Sequence, residues 1–309
     1  MALAVVLLGL GAAVLTLGAE AAVRGAGRLA AAHRISPFLL GALLFGVDLE
    51  SVGAVLIAAG RGQTAIAGGE AFGTIVFLFS AAFGAALLLG PKPVQSPSIQ
   101  MVLLPGATLL AGAAALSDQV VGRLEGVALL SVYGIYLGLV IRDDRRAPEA
   151  RGEEIVREAH EGPRLSPMAL LVGGLVLVFG GATVLVDGGV RLLSHTGLAA
   201  GFVGAAVLGA LASLDEVFLE VIPVLRGLPQ LATGNLFGTA AAFSTGVLGL
   251  AALVRPLVLD SATTTAFLAA AVLYTVVATV FLARGRAGKV VGLSVVLLYA
   301  LWLALASRA

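Results

Sequence analysis

Long apolar segments alternate with short polar connections along the whole chain. Each apolar segment has about 18 to 25 residues, the length an α-helix needs to cross roughly 30 Å of hydrocarbon. The pattern predicts ten membrane spans, at residues 3–30, 36–60, 66–90, 99–117, 122–141, 166–193, 199–225, 229–254, 262–283 and 289–307. The expected architecture is therefore an all-α protein that passes repeatedly through a membrane.

Composition supports this class and excludes several others. Hydrophobic residues make up 59% of the chain and charged residues 12%, about half the charged fraction of a soluble domain. The 41 glycines suit close helix packing in lipid. A net charge of +1 without a basic stripe argues against a nucleic-acid partner. Without cysteine, disulfides and thiolate chemistry are excluded.

One extended polar stretch, residues 142–164, divides the chain. It predicts a first five-helix repeat at 1–142, a cytoplasmic linker at 143–165 and a second five-helix repeat at 166–309. With the N-terminus outside, 14 of the 19 basic residues lie on the inner side. The positive-inside rule then predicts a multi-pass protein of the cell (inner) membrane with both termini outside.

The two halves share matched glycine and arginine positions. Four residues of the first half have partners exactly 163 positions later: Gly18, Gly25, Arg28 and Gly41 pair with Gly181, Gly188, Arg191 and Gly204. Because five spans is an odd number, the second repeat must insert upside down. The predicted fold is thus ten transmembrane helices in two inverted five-helix repeats, with broken helices at the midplane where substrate sites form.

Acidic residues inside two matched spans are the main chemical signal. Asp48 and Glu50 lie in span 2, and Asp215 and Glu216 lie in span 7. Each costs about 2.5–3.5 kcal/mol to insert, so each needs a reason. With no basic residue nearby in sequence, a bound cation is the expected counter-charge, and Gly46 would permit local unwinding that frees carbonyl ligands. Oxygen ligands suit Ca²⁺ or Na⁺; the alternatives are protonated, hydrogen-bonded carboxyls or a water-filled vestibule.

A family resemblance becomes specific between residues 204 and 250. The features that carry it are a break, a turn and a following helix start: Ser213-Leu214-Asp215-Glu216, Arg226-Gly227, and Gly234-Asn235 with Gly238-Thr239. This segment resembles the second α-repeat of the calcium/cation antiporter superfamily, the sodium/calcium exchanger membrane region of prokaryotic type. The likeness covers essentially the whole chain. It implies a secondary active antiporter, not an enzyme, that exchanges Ca²⁺ or a related cation for Na⁺ or H⁺ by alternating access without a cofactor.

The resemblance also implies ligands. Glu216 falls on the family's central cation-binding glutamate, Ser213 on a nearby ligand, and Thr239 and Thr74 on matching hydroxyl positions. In the first half the spacing allows two registers. Counting back from Arg61 puts Ser51 in the glutamate place, whereas chemistry favours its neighbour Glu50, so both stay candidates.

Other departures bear on the coupled ion. Glu70 stands where Asn235 stands in the second half, and both are candidate ligands. Leu78 and Phe243 occupy positions where the family usually carries polar residues. Loss of those oxygens would remove part of a multi-sodium site, whereas clustered carboxylates could alternate Ca²⁺ with protons. The complete set of candidate cation ligands is Glu50, Glu216, Asp48, Asp215, Ser51, Ser213, Glu70, Thr74, Asn235 and Thr239.

Competing functions are a cation channel and a family member that has lost transport and acts as a sensor. The expected partners are the lipid bilayer and inorganic cations; the oligomeric state stays open, with a monomer as one option. Two further side chains have structural expectations. Arg226 is expected to reach the lipid headgroups, and Glu220, one turn beyond Glu216, is expected to have a vestibule or interhelical role.

Overall fold

The computed structural model describes residues 1–146, 166–196 and 213–306. Most of the predicted linker and the first part of the seventh predicted span lie outside the described residues. The helices, with π-helical segments named separately, are α1 (Ala2–His33), α2 (Pro37–Leu40), π1 (Gly41–Phe45), α3 (Leu49–Gly60), α4 (Thr64–Phe77), π2 (Leu78–Ala82), α5 (Phe83–Leu89), α6 (Ile99–Ala115), α7 (Arg123–Arg146), α8 (Pro167–Thr196), α9 (Leu214–Leu225), α10 (Pro229–Ala241), π3 (Ala242–Val247), α11 (Leu248–Val254), α12 (Ser261–Arg284) and α13 (Lys289–Ala306).

Seven helical segments within the described residues are long and apolar enough to cross a membrane. Two shorter apolar helices, Ile99–Ala115 and Lys289–Ala304, accompany them. Each of these nine segments coincides with one of the predicted spans. The multi-pass helical class is therefore confirmed.

The second span is broken where glycine and aspartate meet. Ser36 caps α2 by accepting the Leu39 N–H at 3.1 Å, and π1 ends at Phe45. Three non-helical residues follow, after which Asp48 caps α3. A side chain at Gly46 would place its Cβ 2.9 Å from the Thr239 backbone nitrogen, so only glycine allows this close approach. The expected unwinding at Gly46 is present.

Helix α9 carries the second acidic pair in its first turn. It begins at Leu214, contains Asp215 and Glu216 at its N-terminal end, and ends before a turn in which Gly227 has a φ of 76°. Helix α10 follows and is buried on every side from Leu231 to Ala241. A helix enclosed all round belongs to the centre of a bundle, so α10 forms the middle of the molecule.

Helices α1 and α8 pack antiparallel along a line of glycines spaced seven residues apart. We call this line the glycine seam; its members are Gly11, Gly18, Gly25, Gly174, Gly181 and Gly188. A Cβ at Gly18 would lie 2.7 Å from the Val178 nitrogen, and one at Gly181 would lie 2.6 Å from the Leu15 nitrogen. The two backbones therefore touch directly, as small residues permit in membrane helices.

Two short antiparallel strand pairs join the halves at the surface. Strand β1 (Val94–Gln95) pairs with β4 (Arg286–Ala287), and β2 (Val120–Val121) pairs with β3 (Leu257–Val258). Between them the aromatic core packs edge to face, with the ring centroids of Phe79 and Phe237 5.9 Å apart. This core fixes α10 against π2, and so fixes one wall of the site.

Candidate functional site

A cavity of about 40 Å³ lies between the broken second span, the start of α9 and the middle of α10. About 10–15 Å³ suffices for one water molecule, so the space accommodates a small cation that has lost most of its hydration shell. Its polar lining consists of Asp48, Asp215, Glu216, Asn235 and Thr239, and the rest of the lining is apolar. No lysine or arginine is among the lining residues that the structure describes.

The second half contributes most of this polar wall, and it does so from buried positions. Asp215, Asn235 and Thr239 are 4%, 3% and 2% exposed. Glu216 is half-buried, and its Oε2 atom is enclosed without a hydrogen-bond partner among the described residues. An enclosed carboxylate oxygen without a donor is costly unless a cation or proton satisfies it. This side of the cavity can therefore bind a cation or a proton.

Asp48 is the one polar residue that the first half contributes to the described cavity lining, and it also caps a helix. Asp48 accepts the backbone N–H groups of Glu50 and Ser51 at 3.1 and 2.9 Å. It thus caps α3 while lining the cavity, a role typical of aspartate at a helix N-terminus. The Asp48-Leu49-Glu50-Ser51 sequence therefore carries a helix-capping signal in addition to its candidate metal ligands.

The remaining candidates lie around the cavity without lining it. Glu50 and Glu70 are exposed, Ser51 and Ser213 are half-buried, and Thr74 is buried and donates its hydroxyl to the Glu70 carbonyl at 3.0 Å. The structure thus gathers five of the ten predicted ligands on one wall and leaves these five outside it. In the described part of the chain, no three acidic or histidine side chains converge on a single metal position.

Leu78 and Phe243, the two apolar residues that depart from the family pattern, both lie at the start of a π-helical segment. Leu78 lines the cavity at the start of π2. Phe243 lies at the start of π3 and is fully buried. Neither offers an oxygen ligand, so the cavity has fewer neutral oxygens than the family pattern implies.

Two acidic side chains next to the site have partners that sequence reasoning did not assign. Glu220 is fully buried and accepts a hydrogen bond from the Asn235 side-chain amide at 2.9 Å. Glu20 of α1 forms ion pairs with Arg24, at 3.1 Å, and with Arg226 in the turn after α9. The guanidinium of Arg226, for which a position near the lipid headgroups was expected, joins α1 to the α9–α10 turn.

A membrane-embedded helical bundle with a broken span and buried carboxyls around a small cavity defines a class: a multi-pass transporter of inorganic cations. Comparison with known proteins narrows the class. The chain matches the sequence profile of the sodium/calcium exchanger protein family over residues 3–142 and 166–308. It belongs to that family.

Individual relatives agree with this assignment. The candidate antiporter CaxA of Alkalimonas amylolytica is 30% identical over 271 residues, covering 85% of this chain and 84% of the relative. Inner membrane protein YrbG of Escherichia coli K12 is 27% identical over 265 residues, covering 83% of this chain and 81% of that protein.

The fold has a close match among solved structures. The sodium-calcium exchanger NCX_Mj, in a structure soaked with Na⁺ and Sr²⁺, superposes with a TM-score of 0.79 at 21% identity and covers 98% of both chains. The same exchanger soaked without Na⁺ and Ca²⁺ gives a TM-score of 0.77 at 22% identity, again with 98% coverage of both. The chain is a transporter of this family and not an enzyme.

Proposed function

We propose that the protein is a secondary active antiporter that exchanges Ca²⁺, or a related hard cation, for Na⁺ or H⁺ by alternating access. One observation carries the proposal: Asp48, Asp215 and Glu216 line one cavity with an amide and a hydroxyl and without a basic residue among the described lining residues. Carboxylate and amide oxygens are the ligands that Ca²⁺ takes in proteins. Buried ionisable groups in a membrane mark ion pathways.

In this proposal Glu216 is the central cation ligand. Asp215, Asp48, Asn235 and Thr239 share the cavity with it. Of the other predicted ligands, Ser213, Glu70, Thr74 and one of the two alternatives Glu50 and Ser51 reach the ion only when the helices around the cavity rearrange. Such a rearrangement is what alternating access requires of a broken-helix site.

We also propose ten transmembrane helices in two inverted repeats, 1–142 and 166–309, joined by the linker 143–165. Reciprocal contacts support the two-fold relation. A Cβ at Gly292 would lie 2.8 Å from the Gly84 carbonyl, and one at Gly249 would lie 2.7 Å from the Gly126 carbonyl. Gly84 and Gly249 are 165 positions apart, and Gly126 and Gly292 are 166 apart. Each contact is therefore the counterpart of the other, and the pairings β1–β4 and β2–β3 are reciprocal in the same way.

The proposed orientation places both termini outside and the linker in the cytoplasm, in a cell (inner) membrane. The distribution of basic residues supports it, because the segments assigned to the inner side hold 14 of the 19. Accessibility of single cysteines introduced at position 2 and in the linker to a membrane-impermeant thiol reagent tests this orientation. The chain contains no native cysteine to interfere.

Reconstitution into liposomes tests the transport proposal. Radiolabelled Ca²⁺ uptake is measured against an outward Na⁺ gradient, an outward H⁺ gradient, or neither. We expect one gradient to drive uptake and Glu216→Gln to abolish it. The matched control is Asp187→Asn, which removes an exposed carboxylate of α8 that does not line the cavity and leaves uptake unchanged.

Each alternative function gives its own result. Passive Ca²⁺ flux that needs no counter-ion gradient indicates a channel. Saturable Ca²⁺ binding without flux indicates a sensor. Uptake that is insensitive to both gradients, or to Glu216→Gln, contradicts the antiporter.

A further inference from the structure

Glu220 places a carboxyl group at a buried position, where an apolar side chain would cost less free energy. It lies on α9, is fully buried, and its Oε2 atom has no hydrogen-bond partner among the described residues. Its Oε1 atom accepts from the Asn235 Nδ2 at 2.9 Å. A buried polar atom without a partner costs about 1–3 kcal/mol, so packing alone does not account for a glutamate at this position.

The partner of Glu220 has two chemically opposite ends. The side-chain amide of Asn235 offers an NH₂ group that donates and a carbonyl oxygen that accepts. The Glu220 oxygen holds the NH₂ end. The described residues provide no hydrogen bond to the carbonyl end, and Asn235 lines the cavity.

The orientation of this amide decides whether Asn235 attracts or repels a cation. With the NH₂ end bound to Glu220, the carbonyl oxygen is the end of the amide that is available to an ion in the cavity, and it is a suitable ligand for a hard cation. Rotating the amide by half a turn would present two N–H dipoles to the ion instead. Without a partner that fixes its orientation, the Asn235 amide must be ordered when the ion binds. The free-energy cost of that ordering weakens the binding of the ion.

We propose that Glu220 is a positioning residue that orients the Asn235 amide so that its carbonyl oxygen serves as a cation ligand. The proposal rests on the cation site of the proposed function. Glu220 acts through Asn235 and does not touch the ion. In this it resembles the outer residues that orient ligands around protein metal sites.

The equivalent pair in the first half supports this role. Aligned on the Arg226 and Arg61 turns, Glu220 corresponds to Val55, six positions before each arginine, and Asn235 corresponds to Glu70, nine positions after. Val55 is fully buried. A carboxylate such as Glu70 has acceptor oxygens at both positions, so it needs no partner to choose its orientation. The half with the carboxylate thus has a valine at the position that corresponds to Glu220, and the half with the amide has the glutamate that the amide requires.

Calcium binding to the purified protein in detergent, measured by calorimetry, tests the proposal without requiring transport. Glu220→Val should weaken binding about 10- to 100-fold, the usual effect of removing an orienting partner. Glu220→Gln keeps an acceptor oxygen for the Asn235 amide and should bind within about threefold of the unmodified protein. Because Glu220 acts through Asn235, the double variant Glu220→Val/Asn235→Leu should bind no more weakly than Asn235→Leu alone.

Two further measurements separate positioning from structure. Without Ca²⁺, Glu220→Val should change the free energy of unfolding little, because removing the unsatisfied Oε2 atom offsets the loss of the acceptor for the Asn235 NH₂ group. The double variant Glu220→Val/Asn235→Glu copies the first-half pair and should regain the binding that Glu220→Val loses. A purely structural role predicts a loss of stability and no such rescue.

Three results would overturn the inference. Glu220→Gln binding as weakly as Glu220→Val would show that the charge matters and the orientation does not. Additive losses in Glu220→Val/Asn235→Leu would show that Glu220 acts independently of Asn235. Loss of binding in Glu216→Gln with none in Glu220→Val would refute the inference and leave the cation site standing, whereas an unmodified protein that binds no Ca²⁺ would overturn both.

Discussion

The glycine seam between α1 and α8 leaves no room for a single methyl group. Gly181 and its neighbour Gly180 lie on the same helix, but only Gly181 faces α1. A Cβ at Gly181 would lie 2.6 Å from the Leu15 backbone nitrogen and 3.0 Å from the Gly11 carbonyl oxygen, whereas a Cβ at Gly180 would have no atom within 4 Å. Comparing Gly181→Ala with Gly180→Ala therefore separates the effect of the contact with α1 from the other effects of replacing glycine by alanine.

The expected magnitude follows from these distances. Ordinary contacts begin at about 3.4 Å, so Gly181→Ala must separate the two backbones by about 0.8 Å, an overpacking that typically costs about 1–3 kcal/mol. Alanine also gains about 0.8–1 kcal/mol of helix propensity over glycine at both positions. We expect Gly180→Ala to be neutral or stabilising, and Gly181→Ala to be about 1–3 kcal/mol less stable than Gly180→Ala.

Unfolding in mixed micelles with increasing sodium dodecyl sulphate, followed by helical circular dichroism, measures this difference directly. The transition midpoint and slope give the free energy of unfolding for each variant. Equal free energies for Gly180→Ala and Gly181→Ala would refute the reasoning, because they would show that the seam relaxes at no cost. A loss confined to Gly181→Ala would establish backbone contact as the limit on α1–α8 packing.

Three other predictions concern charges away from the seam. Glu20→Gln and Arg226→Gln each break a partly exposed ion pair, so each should lower the free energy of unfolding by at most about 1 kcal/mol, and the double variant should lose no more than the worse single one. At the exposed start of α12, hydrogen bonds from the following backbone and a threonine hydroxyl lower the pKa of Asp260. Its stabilisation is therefore present above the unfolded pKa of about 3.9 and is lost as the pH falls through the folded value; acid unfolding of Asp260→Asn should lack this component. Finally, of Glu50→Gln and Ser51→Ala, only the substitution of the true first-half ligand should abolish Ca²⁺ exchange. Exchange that is fully retained in both variants would remove both residues from the site.

The spans and the break could be predicted because their signals are local. A run of apolar residues long enough to cross the membrane leaves few alternatives to a transmembrane helix. Gly46 beside Asp48 combines a flexible backbone with a helix-capping side chain, and the helix ends there. The π-helical segments left no such signal, because one inserted residue in a mostly apolar stretch such as Leu78–Ala82 barely changes the length or the hydropathy of the span.

The membership of the site was harder to predict because it depends on contacts between distant elements. Asp215 and Glu216 lie together in the first turn of α9, and both line the cavity. Glu50 lies at an equally acidic break, yet it is exposed outside the cavity. Helical spacing places Glu220 one turn beyond Glu216, but it cannot show that Asn235, 15 positions later, lies across from it.

The two helix starts at the cavity bear on the charge that the antiport proposal requires. The N-terminal ends of α3 and α9 both contribute lining residues, and each helix N-terminus carries a partial charge of roughly +0.5. When Asp48, Asp215 and Glu216 all bind as ionised carboxylates, the balance is a net charge of about −2. One Ca²⁺ or two monovalent cations neutralise it, whereas a third monovalent ion would add an uncompensated charge inside the membrane, at a cost of several kcal/mol. Leu78 and Phe243 supply no oxygen for a third ion, so under the antiport proposal we expect one divalent cation to exchange for two monovalent ones.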